Sequence, residues 1–193
     1  MENSIAAPRA VNIYTEANPN PNSLKFVVNF MLLPEGKSLD FPDPLSASRC
    51  PIALDLFRYN FVKRVFIASN FITITKEESS EWNDIIPMLK TYIKSFLEEG
   101  NPLLLDELAS DINEDDPEIV KKIKGILDEY VRPAVESDGG NISFHSFNEG
   151  LVKVHLQGSC SGCPSSTATL KQGIERLLTS MIPEVKEVVA EGV

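Results

Sequence analysis

The sequence predicts an α+β fold made of two small domains joined by an acidic linker. The chain has 193 residues, which is enough for two small domains. Apolar patterns of period two and of helical period occur in both halves of the chain. Residues 98–120 contain nine acidic and no basic side chains, a composition typical of a solvated connection. We therefore assign residues 1–97 to a first domain, 98–116 to the linker and 117–193 to a second domain.

The net charge of −10 is concentrated in this connecting segment. Residues 1–97 contain ten basic and ten acidic side chains, and residues 121–193 contain eight and nine. An acidic chain repels the phosphates of nucleic acids and anionic lipid headgroups, so we expect neither nucleic acid nor a membrane as a partner. No stretch approaches the ~20 apolar residues of a membrane-spanning helix. The acidic segment is more typical of a flexible spacer than of a docking site.

In the first domain, short strand signals surround two helical patterns. A cluster of Pro and Asn at 18–22 predicts a turn, because Pro fixes φ and Asn tolerates the left-handed conformation. The predicted strands are 24–30, 37–41, 62–68 and 71–75. Pro51 predicts the start of a short helix that runs to Tyr59. Helical spacing of apolar residues predicts a longer helix over 81–97, in which Pro87 must lie near the first turns or kink the helix.

The second domain has the predicted order helix, strand, strand, loop, helix, strand. Asp116 and Pro117 are an N-cap and first-turn signal for a helix to about Val131. Strands at 141–147 and 151–157 are joined by a three-residue loop that ends in Gly150, which suits a hairpin. Apolar Val152, Val154 and Leu156 alternate with polar Lys153, His155 and Gln157, so we expect one buried and one wet face. A helix to about Met181 and a strand at 185–190 complete the domain, with a brief additional helix expected in the linker at 103–109.

A C-x-x-C pair, Cys160 and Cys163, lies between the hairpin and the following helix. Gly158 and Gly162 allow the backbone to bend around the pair. Pro164 suits the first turn of the helix. Because a helix N-terminus stabilises negative charge, we expect thiolates to form readily here.

Three kinds of chemistry use such a pair. An iron–sulfur cluster needs about four protein ligands, and two copies of this loop supply four, which predicts a cluster held between two protomers. A thiol–disulfide oxidoreductase is the alternative, although here the pair follows a hairpin. The third alternative is a zinc site in which His145 and His155 join the two cysteines as ligands. With residue 143 opposite residue 155, the histidines are diagonal neighbours ~7–8 Å apart, which is loose for one ion.

The remaining candidate residues receive structural interpretations. We expect Cys50 to be a buried, inert thiol and the two histidines to face solvent. Three cysteines, an odd number, do not suggest a disulfide framework. Residues 1–12 resemble neither a secretory signal nor an Arg- and Ser-rich transit peptide, so the expected compartment is the cytoplasm.

Several motifs around the C-x-x-C pair resemble the C-terminal domain of NifU (NFU-type) proteins. They are Arg132-Pro133-Ala134-Val135, Asp138-Gly139-Gly140-Asn141-Ile142 and the run from Leu156 through Cys160 and Cys163 to Ser166. The first half resembles the N-terminal domain of the longer NFU-type scaffolds, through the stretches 18–26 and 65–76. Together the two resemblances cover nearly the whole chain.

The resemblance implies a scaffold or carrier rather than an enzyme. It implies a [4Fe–4S] cluster bridged between two subunits of a homodimer, received from a donor scaffold and passed to apo iron–sulfur proteins. The ligand roles transfer only to Cys160 and Cys163. The preference for [4Fe–4S] over [2Fe–2S] rests on the resemblance alone.

Overall fold

The computed structural model describes residues 10–34, 36–105, 116–159 and 164–192, with the backbone alone at 164–167. The chain divides into two compact units, Met1–Ala17 with Asn22–Leu108 and Asn18–Pro21 with Ala109–Val193. Both units contain helices and strands, which confirms the α+β class. Most of the predicted linker, 106–115, lies outside the described residues, as does part of the helix expected at 103–109. Among the helices that the structure describes, none is long and apolar enough to cross a membrane.

Five antiparallel strands form the sheet of the first unit. Its strands are β1 (Ile13–Ala17), β2 (Ser23–Val28), β3 (Ser38–Phe41), β4 (Val62–Ala68) and β5 (Phe71–Lys76). They are arranged in the order β1-β2-β5-β4-β3. β4 and β5 form a tight hairpin in which Ala68 pairs with Phe71. Ser69 adopts a φ of 42° at its tip. The predicted strands are confirmed to within two residues at either end.

Two helices cover one face of this sheet. They are α1 (Pro51–Leu56) and α2 (Trp82–Glu98). Their buried side chains, such as Leu56 and Leu89, form one core with Phe26 and Ile72 from the strands. Pro87 is the sixth residue of α2, near the first turns as expected. Burial against the sheet, rather than capping, stabilises α2, since its N-cap residue makes no side-chain cap bond.

The second unit has a three-stranded sheet. Its elements are α3 (Glu118–Ile126), a π-helical turn (Leu127–Val131), α4 (Arg132–Ser137), β6 (Gly140–Asn148), β7 (Leu151–Gly158), α5 (Pro164–Met181) and β8 (Glu187–Gly192). The strand order is β6-β7-β8. β6 and β7 are antiparallel, whereas β7 and β8 are parallel and are connected through α5. The predicted order of elements is confirmed, with β8 shifted two residues towards the C-terminus.

The predicted helix to Val131 does not end there but continues through the π-helical turn into α4. Four buried side chains follow one another at intervals of four residues along it, namely Ile123, Leu127, Val131 and Val135. In an ideal α-helix each interval of four residues rotates the side chain by about 40°. The wider π turn offsets this rotation and keeps the four buried side chains on the side of the helix that faces the core. Pro133 is the second residue of α4 and follows the π-helical turn directly, where the regular i→i−4 hydrogen bonding is already interrupted.

The alternation along β7 is confirmed by burial. Val152, Val154 and Leu156 are fully buried and pack with Ile174 and Leu178 of α5. Lys153, His155 and Gln157 are half-buried on the other face. The strand therefore has one core face and one open face, which fixes its register against β6 and β8.

Gly150 forms the tip of the β6–β7 hairpin in the left-handed region, with a φ of 93°. A Cβ added there would lie 2.9 Å from the Lys186 side chain and 3.0 Å from the Glu184 carbonyl oxygen. The carbonyl of Gly150 also accepts the amide N–H of Lys186 at 2.8 Å. This position therefore combines a positive φ with close approach of the chain that leads into β8.

We predict that Gly150→Ala lowers the free energy of unfolding by about 1–3 kcal/mol, because it adds both strain and a clash. Gly125→Ala is the matched control, since Gly125 lies within α3 and a Cβ added there would have no neighbouring atom within 4 Å. The control should raise the free energy of unfolding by about 0.5–1 kcal/mol, because alanine has the higher helix propensity. Urea unfolding followed by circular dichroism measures both. Equal effects of the two substitutions would contradict this explanation.

Candidate functional site

The candidate site lies where β7 ends and α5 begins. β7 ends at Gly158 and α5 begins at Pro164. The two predicted ligands, Cys160 and Cys163, lie between these elements and outside the described residues. What the structure describes is the frame on either side of them. The described part of the site consists of the residues that hold the two ends of this connection.

Two glycines with positive φ lie at the base of the connection. Gly158 has a φ of 70° and Gly139 a φ of 79°. Gly158 pairs with Gly140 as the last pair of the β6–β7 ladder. All three are buried. The two left-handed residues thus lie side by side at the paired ends of β6 and β7, and any side chain with a Cβ is strained there.

Ser159 forms hydrogen bonds from the connection to the turn before β6. Its amide N–H donates to the Gly139 carbonyl oxygen at 3.3 Å. Its hydroxyl donates to the Asp138 carbonyl oxygen. Ser159 is only 3% exposed, so these bonds satisfy a polar residue that would otherwise be costly to bury. The residue immediately before Cys160 is thus held by both its backbone and its side chain.

A buried asparagine lies one step further down the same ladder. Asn141 pairs with Gln157 across the sheet and is 3% exposed. Its Oδ1 accepts the amide N–H of Ile142 at 2.8 Å and lies 3.5 Å from Nη1 of Arg132. Arg132 also pairs with Asp128 one helical turn earlier. The guanidinium thus connects the π-helical turn to the first residues of β6.

The sequence Ser137-Asp138-Gly139-Gly140 predicts a turn between the helix and the hairpin, with shaping of the cluster environment as a secondary role, but the sequence assigns no individual role to Ser159 or Arg132. Ser159 could have been identified by one signal. A small hydroxyl side chain directly after a glycine that ends a strand is suited to bonding a neighbouring backbone carbonyl. The contact of Arg132 with Asn141 could not be found this way, because it depends on the packing of α4 against β6, whereas the pair with Asp128 has the local i,i+4 spacing of a helix.

The expected separation of the two histidines is wrong. Ser143 does pair with His155, as predicted, but the register then shifts between Phe144 and Ser146. His145 is the extra residue of this β-bulge, and the bulge re-aims its side chain. The rings of His145 and His155 consequently stack with their centroids 4.3 Å apart. The expectation that His145 faces solvent is confirmed, whereas His155 is half-buried.

Cys50 is a buried structural residue, as predicted. It is 0% exposed and immediately precedes α1. Burial raises the pKa of the Cys50 thiol to about 11, against a smaller opposing effect of a backbone hydrogen bond at Ala53. The thiol is therefore protonated at neutral pH and unsuited to bind a metal as thiolate.

Two family models match the chain. One, described as a NifU-like domain, matches residues 123–189, and the other, described as scaffold protein Nfu/NifU N terminal, matches residues 13–100. The first match includes Cys160 and Cys163 together with Ser159, Asn141 and Arg132. The solution NMR structure of a NifU-like protein from Saccharomyces cerevisiae is similar to 55% of this chain and 95% of its own, with 25% identity and a TM-score of 0.46.

Curated relatives match nearly the whole chain. A protein of Drosophila yakuba named NFU1 iron-sulfur cluster scaffold homolog, mitochondrial, is 43% identical over 191 residues, which is 97% of this chain and 68% of that protein. The human protein of the same name is 45% identical over 183 residues, or 93% of this chain and 72% of that protein. The chain thus spans about two thirds or more of the length of these relatives.

The expectation of a cytoplasmic location is wrong, because both relatives are named as mitochondrial. The expectation rested on the composition of residues 1–12 and on the unpaired cysteines. The first residues of a sequence do not by themselves specify its destination, and unpaired cysteines do not distinguish one reducing compartment from another. The resemblance seen in the motifs, in contrast, is confirmed along the chain. Identity of this extent to relatives so named, together with both family models, shows that the chain belongs to the NFU family of iron–sulfur cluster scaffold proteins.

Proposed function

We propose that this protein holds a [4Fe–4S] cluster between two copies of the chain and transfers it to apo-proteins. Cys160 and Cys163 of each copy donate thiolates to iron. The cluster is cargo, received from a donor protein and released to an acceptor. No small-molecule substrate is turned over in this process.

The observation that carries the proposal is the way the chain is held on both sides of the cysteines. Ser159 is anchored to the turn at 138–139, and Cys163 is followed directly by the first residue of an 18-residue helix, α5. The first turn of a helix has backbone N–H groups without intrahelical partners and carries the positive end of the helix dipole. A helix N-terminus favours negative charge and therefore suits thiolate ligands.

The number of available thiolates supports the bridging arrangement. A [4Fe–4S] cluster takes four thiolate ligands, and each chain contains three cysteines. Cys50 is buried in the first unit with its thiol protonated. Among the residues that the structure describes, no group of three His, Cys, Asp or Glu side chains is placed to hold a metal ion. Two copies of the C-x-x-C pair supply the four ligands most simply.

A shared cluster also provides a means of release. Each chain contributes half of the ligands, so separation of the two copies leaves the cluster incompletely coordinated and open to an acceptor's thiolates. A permanent electron-transfer centre would instead be held by four ligands of one chain. We therefore propose a homodimer that forms with the cluster.

Replacing either cysteine should abolish cluster binding. After anaerobic reconstitution with iron and sulfide, the wild type should be brown and elute as a dimer, whereas Cys160→Ala and Cys163→Ala should remain colourless monomers. Cys50→Ala is the matched control and should bind the cluster like the wild type. Absorption spectra, iron and sulfide analysis and gel filtration measure the outcome. A colourless wild type that reduces a model disulfide would contradict the proposal and favour the dithiol alternative.

Ser159→Ala should weaken retention of the cluster while the fold is kept. The substitution removes the hydroxyl bond to Asp138 but leaves the backbone bond to Gly139. One such bond is worth about 1 kcal/mol, which corresponds to about a fivefold faster loss of iron to a chelator. Ser180→Ala is the control, because its hydroxyl bonds the Leu177 carbonyl on an exposed part of α5. Equal rates for the two variants would show that the anchor does not affect the cluster.

We also propose that the protein works in mitochondria, as the names of its relatives state for those proteins. Antibodies raised against this chain should detect it in the mitochondrial fraction of cells of the source organism. The signal should be protected from protease until the mitochondrial membranes are opened. Detection in the cytosolic fraction alone would contradict this location.

A further inference from the structure

The first unit contains a groove between α1 and the C-terminal half of α2. The groove has a volume of about 440 Å³ and is lined by residues of both helices and of the chain that follows α2. Such a volume lies within the ~300–1,000 Å³ that ligand pockets usually have. All of the lining residues belong to the first unit, and none of them is a cysteine. The proposed cluster binding therefore does not use this groove.

Aromatic and apolar side chains form part of the lining. Tyr92 and Phe96 of α2 and Pro51 of α1 line the groove. The centroid of the Tyr92 ring lies 6.1 Å from that of Phe96 and 6.3 Å from that of Tyr59. The hydroxyl of Tyr92 donates to Oδ2 of Asp55 at 2.9 Å. The ring is therefore held in place both by packing and by a hydrogen bond.

Two carboxylates also line the groove, and neutral donors hold both of them. Asp55 accepts the hydroxyl of Tyr92, which remains a donor at neutral pH because burial and the bond to Asp55 raise the pKa of Tyr92. The Glu99 carboxylate accepts the Ser95 hydroxyl at 3.4 Å and the amide Nδ2 of Asn101 at 3.0 Å. Neutral donors orient a carboxylate without cancelling its charge.

The negative charge of the groove is not neutralised by the groove's own lining. Of the eight described residues that line it, two are acidic and none is basic. Arg58 pairs with Asp55 at 3.2 Å, but the Arg58 side chain is 78% exposed, so solvent screens this pair. Glu99 is the C-cap of α2, whose last turn has no basic residue, and the helix dipole adds negative potential there. The groove therefore favours a cation.

We propose that this groove binds an arginine side chain of a partner protein. A guanidinium ion is planar, stacks on aromatic rings and offers N–H donors to carboxylates on more than one side. It is also less strongly hydrated than the ammonium ion of lysine, so it enters a partly apolar groove at a lower desolvation cost. Lysine matches only the charge. The first unit thus contributes recognition of another protein.

The chain's own acidic segment does not match this groove. Residues 106–115, which follow the groove residue Pro102 closely in the sequence, contain five acidic and no basic side chains. Asp55 and Glu99 repel a segment of the same charge. A basic segment of another protein has the complementary charge.

The test is an NMR titration of the full ¹⁵N-labelled chain with the capped peptide acetyl-Ala-Ala-Arg-Ala-Ala-amide. The backbone amide resonances of Tyr92, Ser95 and Glu99 should shift and reach saturation. The same peptide with citrulline in place of arginine keeps the shape but loses the charge, and it should cause no saturable shift. The peptide with lysine in that place should bind about threefold more weakly or less.

Variants of the two carboxylates locate the binding. Asp55→Asn and Glu99→Gln should each weaken binding of the arginine peptide about threefold, and Glu99→Lys should weaken it about tenfold or more. Because Glu99 is exposed, its variants should retain the fold, which their spectra verify. Glu78→Gln is the matched control, since it removes an exposed charge that does not line the groove. The control should bind the peptide like the wild type.

Several results would overturn the proposal. They are the absence of saturable shifts at the groove, equal binding of the arginine peptide and either of the other two peptides, and unchanged binding by the folded Glu99→Lys variant. Shifts of the same amide resonances that depend on the concentration of the chain without peptide would also overturn it, because the occupant would then be a second copy of the chain.

Discussion

The antiparallel pairing of β6 with β7 determines where the cysteine connection leaves the second unit. Burial of Val152, Val154 and Leu156 fixes the register of β7, because a slip of one residue would turn these side chains to water. In this register Gly158 meets Gly140, and Ser159 reaches the carbonyl groups at 138–139. The hydrophobic core thus sets the starting point of the connection, and α5 sets its end. The proposed thiolate chemistry depends on both.

The order of the elements and the position of the C-x-x-C pair could be predicted from the sequence, because the sequence patterns that specify them are local. Alternation along β7, a glycine that permits a positive φ at position 150 and the helical spacing from Leu170 to Met181 each specify an element without reference to distant residues. The α+β class and the order of the elements follow from them. The C-x-x-C pair is equally local, and its position between β7 and α5 is the position expected from the sequence.

The features that could not be predicted are non-local. The bulge at His145 is defined by the pairing of β6 with β7. In the sequence it leaves only a change of phase, because Phe147 and not residue 146 follows Ile142 and Phe144 towards the core. The π-helical turn follows from packing: the buried residues recur at intervals of four from Ile123 to Val135, and the core selects the helix that keeps them on one face. The anchor on Ser159 requires the carbonyl of Asp138, which lies 21 residues earlier in the sequence. The cytoplasmic location expected from residues 1–12 and from the unpaired cysteines is wrong, because neither feature specifies the compartment.

The central claim is that two chains share one cluster through their C-x-x-C pairs. Native mass spectrometry of the anaerobically reconstituted protein tests this most directly, because it measures the number of chains and the cluster mass in one species. We expect a dimer with the added mass of a single [4Fe–4S] cluster, which dissociates to two apo-monomers when the cluster is removed. A monomer that retains a complete cluster, or a dimer whose stability does not depend on the cluster, would contradict the claim.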